Sequence, residues 1–221
     1  MVAAELISHS IPPLKTSDSV QKAVNRMAEF RVHHLPIIQK QQFLGLISED
    51  DILEIADYSL PIGAITLSLL NSFVYEDQHI YEVIRVLNSQ KLTVVPVIDE
   101  KSQYKGLITI ESLFSHFATI TSLEEAGGII VLEIGNRDNS LAHIAQIVES
   151  NDAQILSSYI NNIPNSSQLE ITIKINKVDI SQIVASFLRY DYVVKASYNH
   201  TNRDNGAKDR FDSLMNYLSF D

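Results

Sequence analysis

Apolar residues recur along the first half of the chain with the spacing of an amphipathic helix, and the same pattern occurs twice. The spacing i, i+3, i+4, i+7 places side chains on one face of a helix. The two sets are Val20, Ala23, Val24 and Met27, and Ile80, Val83, Ile84 and Leu87. The second set begins 60 residues after the first, so the chain contains an internal repeat.

Two short apolar runs follow each predicted helix and predict strands. The first run of each repeat contains a proline, Pro36 or Pro96, which restricts that strand to an edge or strand-end position. The second run contains Gly45 or Gly106. A further helix closes each repeat, so each repeat is predicted as helix, strand, strand, helix. The predicted strands span residues 32–38, 43–48, 92–98 and 104–109, and the closing helices span about 49–57 and 110–119.

Each half has an apolar face that it cannot bury alone, so we expect the two halves to pack together through their sheets. Residues 58–65 separate the halves and contain Pro61 and Gly63, which predict a linker.

The pattern of an apolar-Pro-apolar strand followed by Gly-Leu-Ile-Ser/Thr resembles the CBS motif, which occurs in pairs. The resemblance covers about residues 1–120, with motif 1 at 1–60 and motif 2 at 61–122. It implies one module that senses an adenine nucleotide (AMP, ADP or ATP) or adenosylmethionine in a cleft between the motifs. The resemblance also implies a regulatory role without catalysis or a required cofactor.

The same resemblance implies that the hydroxyl and the acid of Ser/Thr-x-x-Asp bind the ribose. Ser48 and Asp51 supply both groups, and a short carboxylate accepts two hydrogen bonds from adjacent hydroxyls. A serine followed by an acid three residues later is also close to a helix capping box, and both roles can coexist. In the second repeat Thr109 is retained but Ser112 replaces the acid, so at most one competent cleft is expected.

Further cleft positions also follow from the resemblance, which places the base against apolar side chains near the strand entrances. These positions are Leu14, Leu35 and Pro36, with Val74, Val95 and Pro96 in the other half. Each is equally a core residue by type. His34, or its neighbour His33, is the candidate for a phosphate contact, and a surface or hydrogen-bonded core histidine is the alternative for either one. Adjacent strand residues point to opposite faces, so the two histidines do not chelate one ion and no metal site is predicted.

A different pattern begins after residues 124–128, which predict a flexible joint. The predicted order of elements is β-α-β-β-α-β, the ferredoxin-like arrangement, so the fold class is α/β (α+β). Residues 169–175 alternate apolar and polar side chains and predict a strand buried on one face. Asp179 is the predicted N-cap of the second helix.

Residues 136–144, Asn-Arg-Asp-Asn-Ser-Leu-Ala-His-Ile, and the later Ala-Gln-Ile resemble an ACT domain over residues 129–200. The resemblance implies amino-acid binding at the loop between the first strand and helix, where the matching positions are Asn136, Asn139 and Gln154. Asn136 and Asn139 replace the acid and the glycine of the usual pattern, so a packing or dimerising role is the alternative. The CBS–CBS–ACT order is similar to that of the acetoin-utilisation accessory proteins.

Composition narrows the function classes. The formal charge of −10 opposes nucleic-acid binding, and the first strand of the C-terminal domain lacks the aromatics of an RNA-binding sheet. The sequence has no cysteine, no long uninterrupted apolar run and no basic cluster followed by an apolar run at the N-terminus. We therefore expect a cytoplasmic protein with no membrane span. Because no base is paired with a nucleophile, no enzyme is predicted.

These observations lead to a homodimeric sensor in which the adenosyl ligand changes the placement of the ACT-like domains. The alternative is a ligand-independent scaffold that acts through contacts with a partner protein, and an amino-acid sensor is the second alternative. Residues 201–221 are predicted as a polar tail with a short amphipathic helix, which docks on the chain itself or on a second subunit. Its apolar stripe consists of Phe211, Leu214, Met215 and Leu218.

Overall fold

The structure is a computed structural model, and it describes residues 1–135, 140–164 and 166–199. The chain divides into two compact units, Met1–His116 and Phe117–Asp221. The boundary falls a few residues before the predicted end of motif 2 at residue 122. The predicted tail at residues 201–221 lies outside the described residues.

The N-terminal unit contains the predicted internal repeat. Two three-stranded sheets form, ordered β1-β2-β3 and β4-β5-β6, each with one parallel and one antiparallel pair. The strands β1 and β4 are additional to the prediction, because two residues are too short for a periodic pattern. The first repeat comprises β1 (Leu14–Lys15), α1 (Val20–Phe30), β2 (His34–Gln39), β3 (Gln42–Ser48) and α2 (Glu49–Leu53). The second comprises β4 (Val74–Tyr75), α3 (Ile80–Ser89), β5 (Val94–Ile98), β6 (Tyr104–Thr109) and α4 (Ile110–Ile120).

Helix α2 is shorter than predicted because the chain after it turns back to α1. The carbonyls of Tyr58 and Leu60 accept hydrogen bonds from the backbone amides of Gln21 and Val20 at 2.9 and 3.0 Å. These are first-turn amides of α1, which have no partner within their own helix. The segment after α2 therefore leaves the helical conformation, and its carbonyls accept hydrogen bonds from the first amides of α1.

The predicted linker at residues 58–65 is hydrogen-bonded to the first repeat. It contains a 3-10 turn, Ile62–Ala64, in which Ile62 is buried. The amide of Gly63 donates to the carbonyl of Thr16 at 2.8 Å. Proline and glycine thus mark a fixed turn at this position.

The two repeats exchange the segments that precede them. Ser8, ahead of the first repeat, forms a bridge to Leu107 on β6, whereas Leu69, ahead of the second, forms a bridge to Leu46 on β3. Gly106 lies where the exchanged segment approaches. Its φ is 144°, and a Cβ built there would collide with the Ile7 side chain and lie 3.1 Å from the Ser8 carbonyl oxygen. The glycine of the Gly-Leu-Ile pattern is therefore required by this exchange.

The C-terminal unit follows the predicted element order. Its four strands form an antiparallel sheet in the order β10-β7-β9-β8, and the two helices contribute Ile144, Ile183 and Phe187 to one core with the sheet. The elements are β7 (Gly128–Gly135), α5 (Leu141–Glu149), β8 (Ile155–Asn162), β9 (Gln168–Ile175), α6 (Ser181–Arg189) and β10 (Val193–Tyr198).

Two predictions for this unit need correction. Strand β9 is buried on both faces near its end, because Thr172 and Lys174 are each only 8% exposed. The chain after α4 covers them, and the Lys174 ammonium donates to the carbonyl of Leu123 at 3.4 Å. Helix α6 begins at Ser181 with Ile180 as its N-cap. The Asp179 carboxylate instead accepts a hydrogen bond from the Ser181 amide at 3.0 Å.

Within the described ranges, no helix combines the length and apolar character needed to cross a bilayer.

Candidate functional site

Ser48 and Asp51 form a complete capping box at the junction of β3 and α2. The amide and the hydroxyl of Ser48 both donate to Asp51 Oδ2, at 2.9 and 2.8 Å, and the Asp51 amide donates back to Ser48 Oγ at 3.1 Å. The capping interpretation of these residues is therefore correct. Both bonds from Ser48 fall on one carboxylate oxygen, and no residue that the structure describes hydrogen-bonds to Oδ1 of Asp51.

The second repeat builds the same box from two hydroxyls. The Thr109 amide donates to Ser112 Oγ at 3.1 Å, and the Ser112 amide donates to Thr109 Oγ1 at 3.0 Å. The Ser112 hydroxyl donates its own proton to the Thr109 carbonyl at 3.0 Å. Replacing the acid with serine thus preserves the helix cap and removes the carboxylate, so the two repeats differ in charge and share their geometry.

His34 connects the two repeats through Thr93. The Thr93 amide donates to His34 Nδ1 at 3.3 Å, and Thr93 Oγ1 lies 3.1 Å from the same nitrogen. A ring nitrogen that accepts a backbone N–H carries no proton, so His34 is neutral in this arrangement. Burial lowers the pKa of His34, and the neighbouring His33 lowers it further. The ring does not supply the positive charge that a phosphate contact would use.

His33 points elsewhere. Its Nδ1 lies 2.7 Å from Glu49 Oε2, and both side chains are largely exposed. The two adjacent histidines therefore have different partners, as strand geometry predicts. Among the residues that the structure describes, no group of three or more histidine, aspartate and glutamate side chains is arranged to hold a metal ion.

The predicted apolar cleft positions are core residues in this structure. Their side chains are buried, and Leu14, Leu35 and Val95 have no exposed surface. The full set is Leu14, Leu35, Pro36, Val74, Val95 and Pro96. Of the predicted cleft residues, Asp51, His34 and Thr109 keep part of their surface accessible.

A groove of about 420 Å³ lies beside this region in the second repeat. The sequence pattern does not predict this groove. Its wall combines the end of α3 with the start of α4, and the pattern predicts each helix but not the contact between them. Thr93 belongs both to this wall and to the contact with His34. The other lining residues are Ile84, Leu87, Asn88, Lys91, Leu92, Ile110 and Leu113.

The C-terminal unit has a cavity of about 580 Å³ where β7 ends and α5 begins. His143 lines it and its Nδ1 lies 2.8 Å from the Tyr192 hydroxyl, while Tyr190 packs edge-to-face against the same ring at 5.3 Å. Two carboxylates, Glu133 and Asp191, also face the cavity. The sequence contains one indication of this cavity, because His143 lies inside the ACT-like segment.

The predicted amino-acid site is not assembled as expected. Gln154 precedes β8, and its amide donates to Asn176 Oδ1 at 2.8 Å. Asn176 follows β9, whose last residue pairs with Gly128 at the beginning of β7, whereas the ACT-like loop follows the other end of β7 at Gly135. Gln154 therefore lies at the opposite end of the sheet from the cavity. Asn136 and Asn139 lie outside the described residues.

Comparison with known proteins agrees with the repeat. The family model of the CBS domain matches residues 2–58 and 71–119. The chain therefore contains a tandem pair of CBS domains, and such pairs are typically regulatory and non-catalytic. The match ends within α4, three residues into the C-terminal unit, and the rest of that unit lies outside it.

Curated relatives and solved structures are each similar to part of the chain. Inosine-5'-monophosphate dehydrogenase of Bacillus subtilis is 23% identical over 143 residues, which are 62% of this chain and 29% of the enzyme. A CBS domain pair/ACT domain protein from Thermotoga maritima is 19% identical, with a TM-score of 0.49, over 54% of this chain and 98% of that chain. CBSX2 of Arabidopsis thaliana in complex with AMP is 21% identical, with a TM-score of 0.46, over 54% of this chain and 97% of that chain. The chain thus spans less than a third of the dehydrogenase.

Proposed function

We propose that the CBS pair is a sensor for an adenine nucleotide or a related adenosyl ligand, held through its ribose at Ser48 and Asp51. The observation that carries this proposal is the asymmetry between the two capping boxes. Both boxes cap their helices, but only the first contains a carboxylate. A cap alone does not require that charge, because the hydroxyls of Thr109 and Ser112 cap α4 without it.

The geometry of Asp51 suits a diol. Its Oδ2 is fixed by two hydrogen bonds from Ser48, so the side chain is oriented before a ligand arrives. The opposite oxygen, Oδ1, remains available to accept from ribose hydroxyls, and a hydrogen bond to an ionised acceptor is stronger than a neutral one. Capping and ligand binding therefore use different oxygens of one carboxylate.

Dimerisation is part of the proposal. None of the residues of α4 is buried, although the helix is rich in apolar side chains. Phe114 is 68% exposed and Ile110 is 51% exposed, and Ile110 also borders the 420 Å³ groove. A second copy of the chain covering this helix would bury these side chains. A ligand in the CBS pair would regulate the protein if it binds one arrangement of the dimer better than another.

The experiment is a thermal-shift screen with AMP, ADP, ATP and adenosylmethionine on the wild type and on Asp51→Ser. This variant copies the second repeat, so it keeps the cap and loses the carboxylate. A ligand present at one hundred times its dissociation constant stabilises the folded state by about 2.7 kcal/mol. We expect a shift with at least one adenosyl compound in the wild type and its loss in Asp51→Ser.

The same screen tests the alternative. If no adenosyl compound changes the melting temperature of the wild type, the sensor proposal fails and a scaffold that acts through protein contacts is favoured. If Asp51→Ser responds as the wild type does, the ligand is not held at this carboxylate.

A second candidate function concerns the C-terminal unit, for which we propose a ferredoxin-like fold of the ACT type. Its element order and its strand order β10-β7-β9-β8 support this assignment. The cavity of about 580 Å³ beside Gly135 and Ser140 favours amino-acid binding there, with Glu133 and Asp191 available for an ammonium group. An amino-acid panel should raise the melting temperature of the wild type more than that of Asp191→Asn. Equal shifts would place the ligand elsewhere.

A further inference from the structure

One face of the C-terminal sheet is only partly covered. Ile130 and Ile173 point toward the helices and are fully buried. Their neighbours along the strands point to the opposite face, where Ile129 pairs with Lys174 and Tyr159 pairs with Thr172. This second face, which we call the outer face, has no helix of the α5–α6 pair on it.

A groove of about 280 Å³ lies on the outer face. The end of α4 and the chain after it form one wall. This chain segment hydrogen-bonds to the sheet, where the Ser157 hydroxyl donates to the Thr121 carbonyl at 3.0 Å. The apolar side chains of the groove remain accessible: Tyr159 is 52% exposed, Leu123 49% and Phe117 44%. The full lining is Phe117, Thr121, Leu123, Ile129, Ser157, Tyr159, Thr172 and Lys174. Contiguous exposed apolar surface of this kind marks an interaction site.

The described chain ends beside this groove. Tyr198 is the last residue of β10, and it pairs directly with Ile129, which lines the groove. Neighbouring strands lie about 4.8 Å apart. The remaining residues, 200–221, therefore start within one or two strand spacings of the groove.

The remaining residues contain the apolar stripe described above. Phe211, Leu214, Met215 and Leu218 have the i, i+3, i+4, i+7 spacing of one helix face. Residues 199–210 connect the stripe to β10. Twelve residues of chain span at most about 40 Å, so the length of the connector allows the stripe to reach the groove. Tethering also gives the stripe an effective concentration on the order of millimolar, so a weak contact suffices.

We propose that the stripe at residues 211–218 docks in the groove of its own chain and covers Tyr159, Leu123 and Phe117. The short connector favours the same chain over a second copy. Because one wall of the groove is residues 117–123, docking holds the segment after α4 against the sheet. The proposal is independent of any ligand in the CBS pair.

Engineered cysteine pairs test the proposal without interference from native cysteines, because the sequence contains none. The test variant carries Tyr159→Cys and Met215→Cys. The first control combines Leu188→Cys, at an exposed position on α6, with Met215→Cys. The second combines Tyr159→Cys with Ser213→Cys, which lies on the opposite side of the predicted stripe. Mild oxidation followed by non-reducing electrophoresis and peptide mass analysis shows which pairs form and whether they form within one chain. We expect the test pair to form within one chain about tenfold faster than either control.

A chain that ends at Asn199 provides a second measurement. Hydrogen exchange of the amides at Ile129, Tyr159 and Leu123 should be faster in the truncated chain than in the full chain, and exchange at Ile173 in the core should not change. The proposal is overturned if the test pair forms no faster than the controls, if it forms only between chains, or if truncation leaves exchange at the groove unchanged. Links only between chains would identify a second copy as the occupant.

Discussion

Thr93 donates its backbone amide to His34 Nδ1 at 3.3 Å, and this contact joins the two CBS repeats. The Thr93 hydroxyl oxygen also accepts from the His33 amide at 3.0 Å, so one threonine holds the first residue of β2 and the residue before it. The arrangement requires a neutral His34 ring, because a protonated Nδ1 has no lone pair to accept the Thr93 amide. The contact between the repeats is consequently sensitive to protonation.

Stability should depend on pH through His34. Burial lowers the pKa of His34 below its usual 6.5, so the unfolded chain binds this proton more readily than the folded chain does. The free energy of unfolding therefore rises with pH across the range between the two pKa values, and it falls as pH drops below about 6.5. Urea unfolding at several values between about pH 5 and 7.5 measures this slope. His34→Gln, which cannot titrate, should have a smaller slope, and an equal slope in both proteins would contradict the assignment.

Gly106→Ala should destabilise the N-terminal unit strongly. The variant places a Cβ against Ile7 at a φ of 144°, which L-residues rarely adopt. Strain of this kind costs about 1–3 kcal/mol before the collision is counted. Gly45→Ala is the matched variant, because the nearest atom to its Cβ is the end of the Leu67 side chain at 3.0 Å. Chemical denaturation should give a larger loss for Gly106→Ala than for Gly45→Ala. The reverse order would indicate that the exchanged segment is not held as described.

Phe114→Glu should weaken dimerisation and leave the fold intact. The side chain is 68% exposed, so the folded monomer loses little packing, but a charge at a buried dimer contact is costly. Sedimentation analysis over a range of concentrations measures the change in dimer dissociation constant. Leu53→Glu, at a position 75% exposed on α2, is the control and should not affect assembly. A monomeric wild type, or equal effects of the two variants, would exclude α4 as the dimer contact.

The repeat could be predicted from sequence because its signals are local. The helix spacing at Val20, Ala23 and Met27 and the strands around Pro36 and Pro96 reflect burial on a single element, and the structure buries these residues. The exchange of Ser8 and Leu69 between repeats could not be predicted, because single-residue bridges carry no periodicity. Gly106 was part of the recognised pattern, but its physical role depends on a partner almost one hundred residues away in sequence.

The candidate site was predictable only in part. Ser48 and Asp51 are three residues apart, so sequence spacing alone indicated their contact, and the structure confirms the capping box. The neutral state of His34 depends on Thr93, 59 residues away, so local sequence spacing does not indicate it. Thr172 and Lys174 are buried because the chain after α4, which precedes the sheet in sequence, covers them. The alternation of apolar and polar residues along β9 does not indicate this cover.

Titration calorimetry with the adenosyl compound that gives the largest thermal shift tests directly whether Asp51 holds the ligand. We expect one bound ligand per chain in the wild type, because Asp51 has no counterpart at Ser112. We expect no detectable binding to Asp51→Ser at unchanged melting temperature of the free protein, since the serine preserves the cap. Ser112→Asp should add a second site. Binding to Asp51→Ser with wild-type affinity and stoichiometry would contradict the assignment of the ribose to this carboxylate.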